Sequence, residues 1–327
     1  MSSKHNDPAI FSFVMPTKDR PDHVGRALGF LAAQGFTGHV LCVDASDDAN
    51  FAATRSEIAK RPSIAVTHYR PRTMGNAWRE IVEALGTISS LYTQLHHDDD
   101  FYFLTEIDAA IDILEQQENV ATAQGRFVYV EANGEGGGFS LANHDRFQYR
   151  AATPLARLEA CMERFCHLAF AVTRRDDFIC VLAHVHLRLD QGWFDQFAIS
   201  ILLAARGQAV VSDALYGVRQ IHASQHHRNF LGPNAYKHWP MILASPDFSS
   251  VFAAFKTCLI EGSGINAKVL GDTIDRGLVA LVTRAAGILP EREPEDIALF
   301  ERANRPGTAE HDKLKRVIAA IRQAGHK

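Results

Sequence analysis

The stretch YTQLHHDDDF, residues 92 to 101, places His96, His97, Asp98, Asp99 and Asp100 directly after an apolar, strand-forming run. Three adjacent carboxylates repel one another unless a cation compensates them. Hard oxygen donors suit Mg²⁺ or Mn²⁺, ions commonly held by one or two carboxylates with substrate phosphates completing the shell. An ion held there lets an anionic diphosphate dock beside acidic side chains. The plainer alternative is a solvated Asp-rich turn that also caps the next helix. The elements around the aspartates decide between the two.

The first hundred residues alternate strand-like and helix-like segments. IFSFVM (10–15) is a buried strand ending at Pro16, followed by TKDRP and a helix with Val24, Ala27, Leu28, Leu31 and Ala32 on one face, closed by Gly35. HVLCVD (39–44), IAVTHY (64–69) and SLYTQLHH (90–97) are further strands, separated by helices around 50–60 and 76–85. Repeated strand–helix–strand units pair in parallel through right-handed crossovers, which gives an open twisted sheet covered by helices on both faces. Ligands on such sheets sit beyond the carboxyl ends of the strands. The loops expected to matter are therefore PTKDR (16–20), DASDD (44–48), the stretch after Tyr69, and HHDDD (96–100).

Thr105 with Asp108 has the pattern of a capping box for a following helix. A strand over 119–130 leads to a glycine-rich stretch, 131–145, read either as a lid or as plain disorder. A helix from Thr153-Pro154, a strand in FCHLAFAVT, a helix over 195–207 and a strand in AVVSDALYGVRQI follow, and beyond about residue 235 the pattern turns helical. The expected division is a nucleotide-binding α/β domain over 8–230 and a helical extension over 231–327.

Each strand end offers candidate contacts. Pro16, Thr17 and Arg20 follow the first strand. Lys18 there reads better as an ordinary loop residue. Asp44 ends the second strand, where an acidic side chain accepts hydrogen bonds from a ribose or a base edge. RTMGNAWRE adds Gly75 for close backbone approach, Asn76, and Arg79, whose guanidinium suits phosphate.

The formal net charge of -4, with acidic and basic residues interspersed, gives no cationic field for nucleic acid. Five cysteines without a C-x-x-C pair, and an N-terminus without a secretory h-region, point to a reducing cytoplasmic setting. No transmembrane segment is expected. The basic tail KLKRVIAAIRQAGHK reads as a solvated terminal helix, with peripheral contact at the inner face of the membrane as the alternative. No Walker A, dinucleotide or zinc motif is present.

In order and spacing, FSFVMPTKDRPDHVGRALGFLAAQGF, VLCVDASDD, GNAWRE and YTQLHHDDDF resemble the amino-terminal half of a family 2 type nucleotide-sugar glycosyltransferase with the GT-A fold. PLARLEACMERFCHLAFAVTRRDDF resembles a bacterial subgroup, and the match spans roughly 8–225. The resemblance implies an inverting, metal-assisted transfer of a sugar from a nucleoside diphosphate donor, a UDP-sugar first among them, to a glycan or lipid-linked acceptor in cell-envelope or surface polysaccharide synthesis. It implies that Pro16, Thr17 and Asp44 line the base and ribose, that Arg79 lies near the donor, and that Asp98 and Asp100 form the D-x-D pair, with Asp99 among the donor contacts. Mn²⁺ or Mg²⁺ is the implied cofactor.

His97 stands where many relatives carry an acidic residue, so which aspartate ligates directly is open. Counting back from Gly207 puts the family's Glu-Asp base motif at Asp195-Gln196. An amide takes no proton at neutral pH, which leaves Asp195 as the expected base and Asp190 as the alternative, while an N-cap would suit Asp195 equally well. His222, with His226 and His227 behind it, is the implied third metal ligand, and Arg219 and Arg228 are weaker candidates for phosphate contacts. A nucleotidyltransferase on a similar sheet, or a catalytically degenerate sugar-binding scaffold, are the competing functions.

Overall fold

The computed structural model describes residues 3–72, 75–131, 147–189, 194–221, 248–285, 301–303 and 305–324. The strands are β1 (Phe11–Thr17), β2 (His39–Asp44), β3 (Ala65–Tyr69), β4 (Tyr92–Leu95), β5 (Asp100–Tyr102), β6 (Val120–Glu131), β7 (Val172–Arg174) and β8 (Gln208–Ile221). The helices are α1 (Pro21–Ala33), α2 (Asp48–Ala59), α3 (Ala77–Leu85), α4 (Leu104–Gln116), α5 (Pro154–Glu163), α6 (Arg175–Arg188), α7 (Phe194–Arg206), α8 (Phe248–Ser263), α9 (Ala267–Ala285) and α10 (Ala309–Ala324).

The strands form one sheet in the order β3-β2-β1-β4-β7-β6-β8-β5. β1, β2, β3 and β4 pair in parallel, as the alternation of elements requires, and β6 pairs in parallel with β8. β7 is antiparallel to both β4 and β6, and β5 is antiparallel to β8, so the sheet is mixed and mostly parallel. Two reversals restore direction: β6 and β8 run the same way as β4. The carboxyl ends of β1, β2, β3, β4, β6 and β8 therefore share one edge. α7, which feeds β8, brings its own amino terminus to that edge.

α1 shows the expected stripe, with Val24, Ala27, Leu28 and Leu31 buried, and it ends at Gly35 with φ +82°, a left-handed position that suits glycine. The main core joins β1, β2 and β4 to α1, α3, α6 and α7. A second core gathers Phe101, Phe103 and Val218 with Leu314 and Val317 of α10. Packing thus occupies the apolar face of the basic tail helix, and Lys313 is paired with Glu106 at 2.8 Å. Among the described residues no helix is long and apolar enough to cross a membrane. The boundary expected at 230 lies outside the described residues.

Two local expectations differ. The helix after the aspartates starts at Leu104, one residue before Thr105, with Phe103 as N-cap and no side-chain cap. The Leu104 N–H donates instead to Gln34 Oε1 at 3.3 Å, and Asp108 accepts from the His5 N–H at 2.9 Å. A tertiary contact from the end of α1 thus replaces the local cap. Of FCHLAFAVT only Val172 and Thr173 are strand, continued by Arg174. Cys166, Leu168, Ala169 and Phe170 before them are buried in a loop that turns with Ala171 N–H donating to Leu168 O.

Gly207, between α7 and β8, sets how closely the helix end meets β6. A Cβ there would stand 2.7 Å from Ala121 Cβ and 2.9 Å from Ala121 N. Gly207→Ala is expected to cost about 1–3 kcal/mol by overpacking against backbone that cannot yield. Urea denaturation checks this: the midpoint falls with an unchanged slope.

Candidate functional site

The aspartates follow β4 and lead into β5, at the carboxyl edge. They are not a solvated turn: Asp98, Asp99 and Asp100 are 1%, 5% and 2% exposed. Thr17, the last residue of β1, donates its hydroxyl to Asp98 Oδ2 at 2.7 Å. Arg20, the N-cap of α1, donates Nε to the same oxygen at 3.1 Å, Nη2 to Asp98 Oδ1, and Nη1 to Asp99 Oδ2 at 3.3 Å. The β1 loop is thereby tied to the β4 loop. Asp100 faces Arg219 across the antiparallel β5–β8 pair, with Arg219 Nε 3.4 Å from Asp100 Oδ2. Opposite charges placed directly across two strands stabilise the pairing.

Burial pushes the carboxyls of Asp98 and Asp100 up to about 7. Repulsion from Asp99 adds to this at Asp98, where Arg20 and Thr17 oppose it. At Asp100, Arg219 opposes burial while Asp99 and Asp98 add to it. His97 is pushed down to about 3, mainly by burial, so its ring is neutral at physiological pH. Neutral imidazole is the form that binds metals.

One ring nitrogen of His97 and one oxygen each of Asp99 and Asp100 lie within 4.8 Å of one another. Opposite ligands about 2.1 Å from an ion are about 4.2 Å apart, so this group closes on one cation with small side-chain adjustments. A buried group of carboxylate oxygens with a neutral nitrogen donor beside it has the donor set of a divalent-ion site. Asp98 is differently placed, since Thr17 and Arg20 engage both its oxygens.

Asp44, at the end of β2, accepts from Ser46 N–H and from His68 Nε2, each at 2.9 Å. Burial works to raise its pKa, and these hydrogen bonds outweigh it, so the carboxyl stays ionised below its usual range. His68 stacks on Phe51 at 4.0 Å, and the Arg70 guanidinium lies 4.8 Å from the Phe51 ring centre. Pro16 is in register with Val43, which puts it beside the β2 end.

Gly75 has φ +107°, and its N–H donates to Glu80 Oε1 at 2.8 Å. Asn76 caps α3 by accepting from Arg79 N–H at 3.0 Å. Asn76→Ala is expected to lower stability by about 1 kcal/mol through loss of that cap, read as a fall in the urea midpoint. Among the described residues Arg79 Nε is buried without a hydrogen-bond partner. Asp195, in the first turn of α7, is buried, and its Oδ2 accepts from Trp78 Nε1 of α3 at 2.5 Å. Burial pushes its carboxyl up to about 6, and the Trp78 donor and backbone N–H groups pull it partly back.

The site residues expected from sequence are thus all at the carboxyl edge where they are described. Thr17, Arg20, Asp98 and Asp99 are joined directly, and Asp100 stands beside them against Arg219. His222, His226, His227, Arg228 and Asp190 lie outside the described residues, as does all of the glycine-rich stretch except Glu131. Lys18 is exposed, in keeping with a plain loop role.

No protein-family model matches the sequence, and no curated protein matches it either. Solved structures do resemble it at low identity. S. aureus TarS 1–349 in complex with UDP-GlcNAc is 15% identical, with 91% of this chain and 92% of that one covered and a TM-score of 0.46. The mannosyltransferase PcManGT from Pyrobaculum calidifontis, in complex with GDP-Man and Mn²⁺, is 14% identical, with 98% and 89% covered and a TM-score of 0.44.

Three groups emerge only from the structure. His97 joins the acidic group although its sequence position suggested only a lost carboxylate. Arg26, in α1, lies over the Phe101 ring at 5.6 Å, and its Nε and Nη2 are buried without hydrogen-bond partners among the described residues, in the field of Asp99 and Asp98. Its spacing six residues after Arg20 carried no distinguishing signal. Trp78 read as an ordinary apolar position of α3.

Proposed function

We propose that the chain is a metal-dependent glycosyltransferase of the GT-A, family 2 kind, moving a sugar from a nucleoside diphosphate sugar to an acceptor hydroxyl with inversion. The observation that carries this is the convergence of His97, Asp99 and Asp100 at the carboxyl edge of the parallel strands. The motif order from PTKDRP to HHDDD supports the same reading.

In this function His97, Asp99 and Asp100 hold the cation, with His222 as a further ligand. A nitrogen donor in the set favours Mn²⁺ over Mg²⁺. When bound, the ion supplies positive charge to the departing diphosphate, which replaces protonation of the leaving oxygen. Thr17 and Arg20 hold Asp98 in one orientation toward the ribose. Asp44, kept ionised by His68 and Ser46, accepts from the ribose or the base beside Pro16. Gly75, Asn76 and Arg79 form the turn that faces the donor, where the unpartnered Nε of Arg79 suits a phosphate oxygen. Asp195 takes the proton of the acceptor hydroxyl as that oxygen attacks the anomeric carbon from the side opposite the leaving group, which inverts the centre. The acceptor is a glycan or lipid-linked sugar of the cell envelope, reached at the inner face of the membrane.

Thermal unfolding with UDP, GDP, CDP and dTDP and their sugars, with and without Mn²⁺, tests the function. Stabilisation by one nucleotide only when Mn²⁺ is present is expected, with about 2.7 kcal/mol at a hundred times Kd. Metal-independent binding of every nucleotide, or of none, contradicts it.

A further inference from the structure

The side chain that fixes Asp195 is an aromatic one. Trp78 Nε1 donates to Asp195 Oδ2 at 2.5 Å between residues 117 apart in the chain, and the two are 8% and 5% exposed. The other carboxylate oxygen accepts from Gln196 N–H at 2.6 Å. An indole N–H only donates, so it dictates which way the carboxylate lone pairs point. Among the described residues no charged group of α3, α5, α6 or α7 adds to this environment, which is set by burial, the indole and backbone N–H groups. The indole is itself held firmly: Asn76 caps the turn that carries it, Glu80 bonds back to Gly75, and the ring packs in the main core.

We propose that Trp78 is the positioning residue of the acceptor-side base, holding the Asp195 carboxylate in its reactive orientation from the same helical turn that carries the donor-side residues Gly75, Asn76 and Arg79. This rests on Asp195 being the base. Donor and base then share one rigid support, so a donor seated on the α3 turn finds the carboxylate already aimed. A tryptophan that merely docked α3 against α7 would be indifferent to the charge on Asp195 and to the pH profile of the reaction.

The contact can be read without any substrate. The chain has three tryptophans, Trp78, Trp193 and Trp239, so ¹⁵N-indole labelling gives three side-chain resonances, and Trp78→Phe identifies one of them. The Trp78 resonance is expected to titrate with a midpoint of about 6 in the native protein and to stop titrating in Asp195→Asn. A resonance that stays flat between pH 4 and 8 in the folded native protein overturns the proposal. In Trp78→Phe the midpoint of the acid limb of kcat, followed as nucleoside diphosphate release from the donor found by thermal unfolding, should rise by about one pH unit, since a hydrogen bond to a charged group favours the charged form. The plateau kcat should fall about tenfold with donor KM little changed. Undiminished transfer in Asp195→Asn overturns the base assignment itself. Loss of transfer there, with an unmoved profile in Trp78→Phe, overturns the positioning role alone. Should Trp78→Phe fail to fold, the native titration against Asp195→Asn still decides the contact.

Discussion

Asp195→Asn is expected to lower sugar transfer by about 10²- to 10⁴-fold while donor and metal binding persist, because a positioned general base contributes about that much. The amide keeps the shape of the carboxylate but only one acceptor oxygen, so it can still accept from Trp78 at the expense of the Gln196 N–H, and the larger loss is of proton affinity. Burial sets the pH dependence. With the carboxyl pushed up to about 6, the base is ionised and competent above that pH. Transfer should fall tenfold for each unit below it, the direction required when the deprotonated form is the active one. Steady-state kinetics from pH 5 to 8 checks both. An Asp195→Asn enzyme within threefold of the native rate would remove Asp195 from the chemistry and return attention to Asp190.

The second large effect separates three neighbouring aspartates that sequence alone leaves equivalent. Asp99→Asn and Asp100→Asn should each weaken Mn²⁺ binding at least about 100-fold, since even partners outside the ligand shell are commonly worth 10- to 100-fold. Asp98→Asn should behave differently. Its oxygens are engaged by Thr17 and Arg20, so the change loosens the β1 loop, costs about 2 kcal/mol of stability and leaves intrinsic metal affinity within about tenfold. The cost is below that of a fully buried pair because Arg20 keeps some access to water, its side chain being 23% exposed. Mn²⁺ titration followed by electron paramagnetic resonance, alongside urea denaturation, reads both quantities. Equal loss of metal affinity in all three variants would show that Asp98 is a ligand and that Arg20 gives way to the ion.

The parallel half of the sheet is legible mainly from β1 and β2, short apolar strands, and from α1 and α3, whose apolar residues fall on one face. β1 and β2, α1 and the position of the aspartates follow from hydrophobic spacing and glycine placement alone. The carboxyl-edge rule then located Thr17, Arg20, Asp44 and Asp98 to Asp100 without any knowledge of contacts. What spacing could not show was partnership. Arg20 meets Asp98 across 78 residues, and Arg219 meets Asp100 only because β5 adds antiparallel to β8. Nor does local pattern reveal a cap supplied from far away, which is why α4 starts at Leu104 under Gln34 instead of at a Thr105 box. α6 was the largest omission, although Asp176 and Asp177 in its first turn and Phe178, Val181, Leu182 and Val185 at helical spacing announce it. His184, His186 and Arg188 beside this stripe dilute its apolar signal.

On the proposed function the buried acidic group holds a cation which a nucleoside diphosphate then shares. Anomalous scattering from crystals soaked with Mn²⁺ and the stabilising nucleoside diphosphate tests it most directly. One manganese peak is expected among His97, Asp99 and Asp100, touching a phosphate oxygen of the nucleotide. A nucleotide seated at the β2 end with no manganese near those side chains, or a metal bound elsewhere, would contradict it.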